Sequence, residues 1–397
     1  MAVLLVLMLA ASGVPSPLYR VYQDQFGFSP GVLTTIFGIY SFALLASLLV
    51  VGALSDHVGR RPVLVVAFLL EAVAMALFLV SDGVGWLLAA RVVQGLATGA
   101  LTSTLGAGLL DLQNRDRQLG AFINSASPGL GLSLGAGGAG LLVQFVPSPT
   151  DWVFAVLTVV FVLASVGTLL LLPETSPRLP GAVASLRPQV HVPPAHRRAF
   201  VVALPCLVAT WALGGLYASL GPSLLVDVFG IENHLAGGML ILALNGTGVF
   251  GSLALRGSAP ERALVLGGLV FAAGVAGTVA ALVSGSVALL FLAAIVTGFG
   301  FGAAFLGAVA TITRGVASGH RAGLLAAVFV VGYLAFSVPA IAAGIAVGGI
   351  GLQRTAEIYG VAVILLALSA ATGPVLRRRR DAEPHGAADE EAPALAA

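Results

Sequence analysis

The feature that most constrains this chain is a succession of apolar runs, each about as long as a bilayer is thick, parted by short polar turns. A helix needs about 20 residues to cross the hydrocarbon core. Twelve such runs can be read, at approximately 2–19, 30–55, 63–80, 85–110, 118–145, 152–172, 199–220, 235–255, 262–283, 287–311, 321–347 and 355–376. In lipid every backbone polar group must be satisfied internally, so each run is expected to be a helix. Composition agrees: 58% of residues are hydrophobic and 9% charged, with a mean hydropathy of +1.03. A soluble domain carries roughly 25% charged residues. The expectation is an all-α membrane protein of twelve transmembrane helices. The opening Met-Ala-Val-Leu-Leu has no basic n-region, so it is expected to be a first membrane helix and not a cleaved signal. Ser29-Pro30 reads as an N-cap followed by proline at the first helical position. Thr150-Asp151-Trp152 reads as a cap with an interfacial aromatic anchor.

Orientation follows from the turn Gly52-Ala53-Leu54-Ser55-Asp56-His57-Val58-Gly59-Arg60-Arg61-Pro62. It is too short to do anything but join antiparallel neighbours, and its arginines place it in the cytoplasm by the positive-inside rule. All 19 basic residues are arginine, and with this turn inside they divide sixteen inside to two outside, Arg20 and Arg354, with Arg91 inside a span. An even number of spans then puts both termini in the cytoplasm. Arginines scattered through turns are no nucleic-acid footprint, so the expected surroundings are the lipid bilayer and no nucleic acid. The basic run at 377–380 favours anionic headgroups or acts as a plain stop-transfer anchor.

The stretch 173–198 holds six prolines and four arginines and reads as an extended linker. It divides the chain into six-helix halves, 1–172 and 199–376, followed by an acidic tail at 377–397 that is expected to be disordered. The halves look related. Arg91-Val-Val-Gln94-Gly95-Leu-Ala-Thr-Gly99 aligns with Ala294-Ile-Val-Thr297-Gly298-Phe-Gly-Phe-Gly302 at an offset of 203. Ser133-x-Gly135 with Gly140 aligns with Ser337-x-Pro339 with Gly344 at 204, and Gly52-Ala-Leu with Gly251-Ser-Leu at 199. Such pairs of related halves are the sequence mark of a transporter with its site between them.

The 52–62 turn closely resembles the loop between helices two and three of major facilitator superfamily transporters, G-x-L-a-D-r-x-G-R-r. Gly52, Leu54, Asp56, Gly59, Arg60 and Arg61 match, with His57 where an arginine is usual. Arg91, Gln94 and Gly95 resemble the family's second motif, R-x-x-q-G in helix four. The drug-antiporter signature G-P-x-x-G-G in helix five is poorly kept, because Ala136 stands where its proline would be. The resemblance implies two pseudo-symmetric six-helix halves and alternating access in a bacterial inner membrane, by a chain acting as a monomer. It also implies a conformational latch. Asp56 would face the N-terminus of the eleventh helix near His320-Arg321, and Arg60 would pair with Asp111. The alternative is that Asp56 caps a turn and Arg60 holds headgroups.

Glu71 lies near the middle of the third run. An ionised carboxylate there costs about 2.5–3.5 kcal/mol or more, so the protonated form is favoured unless a cation is near. Glu71 is therefore a candidate proton carrier, or a neutral acid bonded to its neighbour helix. Arg91 and Gln94, three residues apart on one helical face, are coupling candidates with it; snorkelling of Arg91 is the alternative. The family places its cavity on helices one, four, seven and ten, which nominates Ser12, Tyr19, Thr98, Trp211, Tyr217, Thr297 and Phe301, joined by Tyr40, Asn124 and Asn245. Pro128 and Pro339 are candidate hinges. The expected partners are a small-molecule substrate and protons. The single Cys206 excludes an intramolecular disulfide and any multi-cysteine metal site. Gly135-Ala-Gly137-Gly-Ala-Gly140 fits a dinucleotide fingerprint but lies inside an apolar run, and Asn245-Gly-Thr247 fits a glycosylation site inside a span. No P-loop, H-E-x-x-H or G-x-S-x-G occurs, so no enzymatic chemistry, cofactor or metal is expected. The reading is a secondary transporter, exporting a neutral or lipophilic compound against protons; uptake of a small nutrient is the alternative, and a membrane-embedded receptor or enzyme a distant one.

Overall fold

A computed structural model describes residues 1–112, 119–176 and 178–382. Its long helices are α1 (Ala2–Phe26), α2 (Pro30–Val51), α3 (Arg60–Leu79), α4 (Val84–Asp111), α5 (Leu119–Phe145), α6 (Pro149–Leu171), α7 (Arg197–Asp227), α8 (His234–Leu255), α9 (Pro260–Ser284), α10 (Val287–Thr313), α11 (Ser318–Ile350) and α12 (Leu352–Ala382). Eleven of them are long and apolar enough to cross a membrane among the described residues. The twelfth, α5, has 27 residues. Arg115, Arg117 and the tail from 383 onward lie outside the described residues.

Local chemistry sets the ends. Ser29 Oγ accepts from Val32 N at 3.4 Å and Pro30 opens α2, as expected. Asn233 caps α8 by accepting from Leu235 N at 2.9 Å, and Ser286 caps α10 through Leu289 N at 3.3 Å. At α6 the expected cap is displaced. Pro149, with its preset φ, takes the first position, so Thr150 and Asp151 fall inside the first turn. In α1, Pro15 and Pro17 lack the N–H that would continue the ladder, and the helix is interrupted at Val14.

The packing repeats itself. In the first half α2 packs on α4, α3 on α4, α3 on α6, and α1 on α5; in the second, α8 packs on α10, α9 on α10, α9 on α12, and α7 on α11. Adding six to each label converts one set into the other. The aligned glycines carry the repeat into atomic contact. A Cβ on Gly95 would collide with the Tyr40 carbonyl and one on Gly99 with that of Leu44; on Gly298 and Gly302 it would collide with the carbonyls of Leu244 and Gly248. In lipid such small residues let helix backbones approach closely.

Two seams join the halves, α2 against α11 and α5 against α8. The first is interlocked near Pro30: Thr34 packs on Gly344, Ile341 on Gly38, and the rings of Phe37 and Phe336 lie 5.0 Å apart. The second runs from Gln144, whose Oε1 accepts from His234 N at 3.1 Å, to Gly129 against Val249. Val249 is about 22 Å along α8 from His234. Arg20 at the end of α1 donates to Asp227 at the end of α7 at 3.1 Å. The halves thus meet on the Asp227 face of the bundle and are less joined toward the Asp56 face.

Candidate functional site

Two clusters gather most of the residues that the sequence singled out. The first is buried inside the first half. Glu71 is fully buried where α3 packs on α4, and Thr98 Oγ1 donates to its Oε1 at 2.6 Å. Arg91, 2% exposed, donates from Nη1 to Gln94 Oε1 at 2.6 Å, and Gln94 Nε2 donates to the Ala11 carbonyl at 3.1 Å, tying α4 to α1. The guanidinium lies 3.9 Å from the ring centre of Tyr40 and 6.0 Å from that of Tyr19. Stacking on a ring partly replaces lost water around a cation. At 2% exposure the guanidinium does not snorkel to the surface; with no carboxylate within 4 Å among the described residues, it is held by the Gln94 amide and the tyrosine rings. Glu71 Oε2, Arg91 Nε and the Tyr19 hydroxyl have no partner there. Buried polar atoms left without a partner cost about 1–3 kcal/mol each. Ser12, at 6% exposure, bonds back to the Met8 carbonyl at 3.1 Å within α1.

The second half contributes an aromatic cluster and, among the described residues, no buried charge. Trp211 on α7 meets Tyr333 and Phe336 of α11 edge-on at 4.9 and 6.0 Å, and Phe305 of α10 at 6.1 Å; Phe301 stacks on Phe305 at 6.5 Å. Tyr333, Phe336 and Phe305 are not among the cavity residues expected from the sequence, although the first two lie shortly before Pro339 in α11. The other nominees are scattered. Tyr217 points between helices, its hydroxyl 2.8 Å from Thr278 of α9. Thr297 is fully buried against α9 at Gly274. Asn245 bonds to its own helix at Ile241. Asn124 is on α5, but its side chain lies outside the described residues. Pro128 is exposed within α5, and α11 runs unbroken through Pro339.

The second cluster forms around the 52–62 turn. Arg60, 6% exposed, is held by three groups: Nε to Asp111 Oδ2 at 3.1 Å, and Nη1 to Ser55 Oγ at 2.6 Å and to Asp56 Oδ1. The pairing with Asp111 is the one the resemblance implies. Asp56 is otherwise engaged by the linker. Its carbonyl accepts from Leu179 N at 3.0 Å and Ser176 Oγ at 2.9 Å, and it makes no hydrogen bond or ion pair to α11 among the described residues. This follows from the halves being parted on this face. Sequence reasoning missed the organiser of the cluster, Glu174. Its Oε1 accepts from Arg60 N at 2.8 Å and Ser176 N at 3.0 Å, and its Oε2 from Arg61 N at 3.3 Å. The carboxylate therefore caps the free amides of the α3 N-terminus, where the helix dipole also favours it. Gly59 makes room: its φ is +110°, and a Cβ there would strike the carboxylate. Desolvation opposes ionisation of Glu174, but the three N–H bonds and the Arg178 charge prevail and hold its pKa below the ordinary carboxylate value. The only residue signal was an acid directly after Pro173 at the end of a span. Gly52 closes α2 and Arg61 begins α3 beside Arg60.

Comparison with known proteins agrees with this architecture. The family model Major Facilitator Superfamily matches residues 1–339. The chain is 34% identical over 124 residues to the class C tetracycline resistance protein of Escherichia coli, which covers 31% of this chain and 30% of that protein. It is 34% identical over 165 residues to a probable actinorhodin transporter of Streptomyces coelicolor, 41% of this chain and 28% of that one. The chain thus spans less than a third of the length of each of these relatives. Among solved structures, a bacterial homolog of the human lysosomal transporter Spinster, inward-facing and occupied, superposes with a TM-score of 0.75 at 13% identity over 95% of both chains. The human organic anion transporter MFSD10 gives 0.63 at 18% identity over 92% of this chain and 96% of that one. A family match over most of the chain, with the twofold helical repeat beneath it, identifies this protein as a member of the major facilitator superfamily.

Proposed function

We propose that the chain is a secondary active transporter that exports a neutral or lipophilic small molecule by alternating access, coupled to protons through Glu71. Membership of a transporter superfamily makes it no enzyme. The observation that carries the coupling is Glu71, the one buried carboxylate of the spans among the described residues, bonded to Thr98 of the helix that also carries the buried Arg91. Protonation of such an acid changes the charge of a dry interior, and Arg91, about two turns from Thr98 on the same face of α4, would pass that change to Tyr40 and Gln94, which its guanidinium touches. The aromatic cluster around Trp211 would take the apolar body of the substrate. The chain's similarity to a tetracycline resistance protein and to a probable actinorhodin transporter supports export. In this reading the Asp56 face is cytoplasmic, as the arginine bias requires, with both termini on that side of a bacterial inner membrane. The units are 1–172, the 173–198 linker, 199–376 and the tail at 377–397, working as a monomer.

The test is substrate-dependent proton movement in proteoliposomes loaded with compounds found in a resistance screen. Proton entry opposite to substrate flow is expected, and Glu71→Gln should abolish uphill transport while substrate still binds. Proton and substrate moving together would instead mean uptake, and full proton-driven transport by Glu71→Gln would remove Glu71 from the coupling. Reporter fusions at Gly83 and Ala397 should read exterior and cytoplasm.

A further inference from the structure

On the Asp227 face, the ends of α7, α9 and α12 enclose a groove that the transport reading does not use. Its lower wall is apolar and lies on the outer surface of the helices: Val283 of α9 is 70% exposed, and Ile358 and Val361 of α12 are 56% and 48% exposed. Above this wall the concavity turns polar without a break, because Arg354 and Glu357 line both its apolar and its polar part. Arg354 is exposed and makes no ion pair or hydrogen bond among the described residues. Glu357 is half-buried and fixed on one oxygen by Gln353 Nε2 at 2.9 Å, while Gln353 is itself anchored to the Leu282 carbonyl at 3.0 Å. Asp227 forms the far edge, with one oxygen already held by Arg20.

We propose that this groove binds one zwitterionic aminophospholipid, with an acyl chain along Val283, Ile358 and Val361, the phosphate on Arg354 and the primary ammonium on Glu357. Three matched features select this occupant. The apolar wall opens to the bilayer, so its natural filler is a lipid chain. A lone guanidinium at the headgroup level suits a phosphate. The adjoining carboxylate disfavours a purely anionic headgroup and favours a donor ammonium, which a quaternary choline lacks. The site lies on the face opposite the 52–62 turn and is independent of the direction of transport.

The purified full chain is placed in nanodiscs holding equal amounts of phosphatidylethanolamine, phosphatidylcholine and phosphatidylglycerol, and the lipid kept after release is counted by native mass spectrometry. Phosphatidylethanolamine is expected to be enriched about two- to fivefold over each competitor, the scale of a partly exposed ion pair. Arg354→Ala and Glu357→Gln should each return the ratio to that of the bulk lipid, and Arg354→Lys should keep most of the enrichment. Retention in the bulk ratio by the wild-type chain would show ordinary annular lipid and overturn the proposal. Preferential retention of phosphatidylglycerol would overturn it as well, by showing a site for net negative charge. Both of these outcomes are read on the unmodified protein.

Discussion

Replacing Asp227 by Asn should loosen the Asp227 face of the transporter by a calculable amount. Arg20 and Asp227 are the one ion pair joining the two halves among the described residues, at 3.1 Å, with side chains 22% and 42% exposed. A pair that wet is worth about 0.2–1 kcal/mol after solvent screening. Arg20 also has Asp24 at 3.4 Å on its own helix, so the substitution leaves it a partner and strands no charge. With 1.4 kcal/mol per factor of ten, parting of the halves on this face should become about 1.4- to 5-fold more populated. The readout is maleimide labelling of Thr34→Cys in a Cys206→Ser background. Thr34 is fully buried against Gly344 in this conformation and is uncovered only when α2 and α11 separate. Labelling should speed up by that factor in Asp227→Asn at low salt. The difference should vanish near 1 M salt, where the Debye length is about 3 Å. Equal labelling of both proteins at low salt would refute the view that this pair holds the face shut.

Three further outcomes follow from the geometry. Arg60→Ala and Asp111→Ala should each shift the conformational balance, and the double mutant should cost less than their sum, since Arg60 Nε and Asp111 share one bond; strict additivity in a thiol-accessibility assay would deny the coupling. Glu174→Gln should weaken the linker's hold on α3 by about 0.3–1 kcal/mol, read as faster tryptic cleavage at Arg178. Because Glu174 is held below its ordinary pKa, its stabilisation is complete above that ordinary value and is lost as pH falls through the lower folded value; hydrogen exchange at the Arg60 and Arg61 amides, corrected for intrinsic rate, should rise in that acid window only. Gly302→Ala should lower the melting temperature, because the new methyl overlaps the Gly248 carbonyl and overpacking costs about 1–3 kcal/mol, whereas Gly138→Ala, which meets nothing within 4 Å, should leave it unchanged.

The helices and the two related halves were legible because they rest on run length and repeated glycines, whereas the Arg60–Asp111 pair, 51 residues apart in sequence, came from the family resemblance alone. The lining of the cavity was far less legible. A helix that is apolar all round carries no stripe to tell an inner from a lipid-facing side. Tyr217 and Thr297 were nominated by helix alone, and both point between α9 and a neighbour. Tyr333 and Phe336 sit on α11, which was nominated only for its proline. Glu174 was hidden for a different reason. Its role depends on the linker folding back 114 residues in sequence onto the Arg60 amide, and no periodicity announces such a contact.

The two seams between the halves differ as machine parts. Along α5 and α8, backbone lies on backbone, with Ala136 and Gly140 against Gly238 and Ser133 against Gly246. Only the aliphatic tips of Leu242 and Val249 reach across it, over Gly137 and Gly129, so this seam is interlocked less deeply than one closed by aromatic rings. Along α2 and α11, Ile341 is seated on Gly38 and Phe37 on Phe336, and both must be drawn out before that seam can part. In the proposed rocking cycle, α2–α11 is the seam whose side chains must be unseated to open the Asp227 face. Enlarging Gly238, whose new Cβ would strike the Ala136 carbonyl, should hinder this seam in either direction of the proposed cycle, while trimming Ile341 should ease the opening of the Asp227 face.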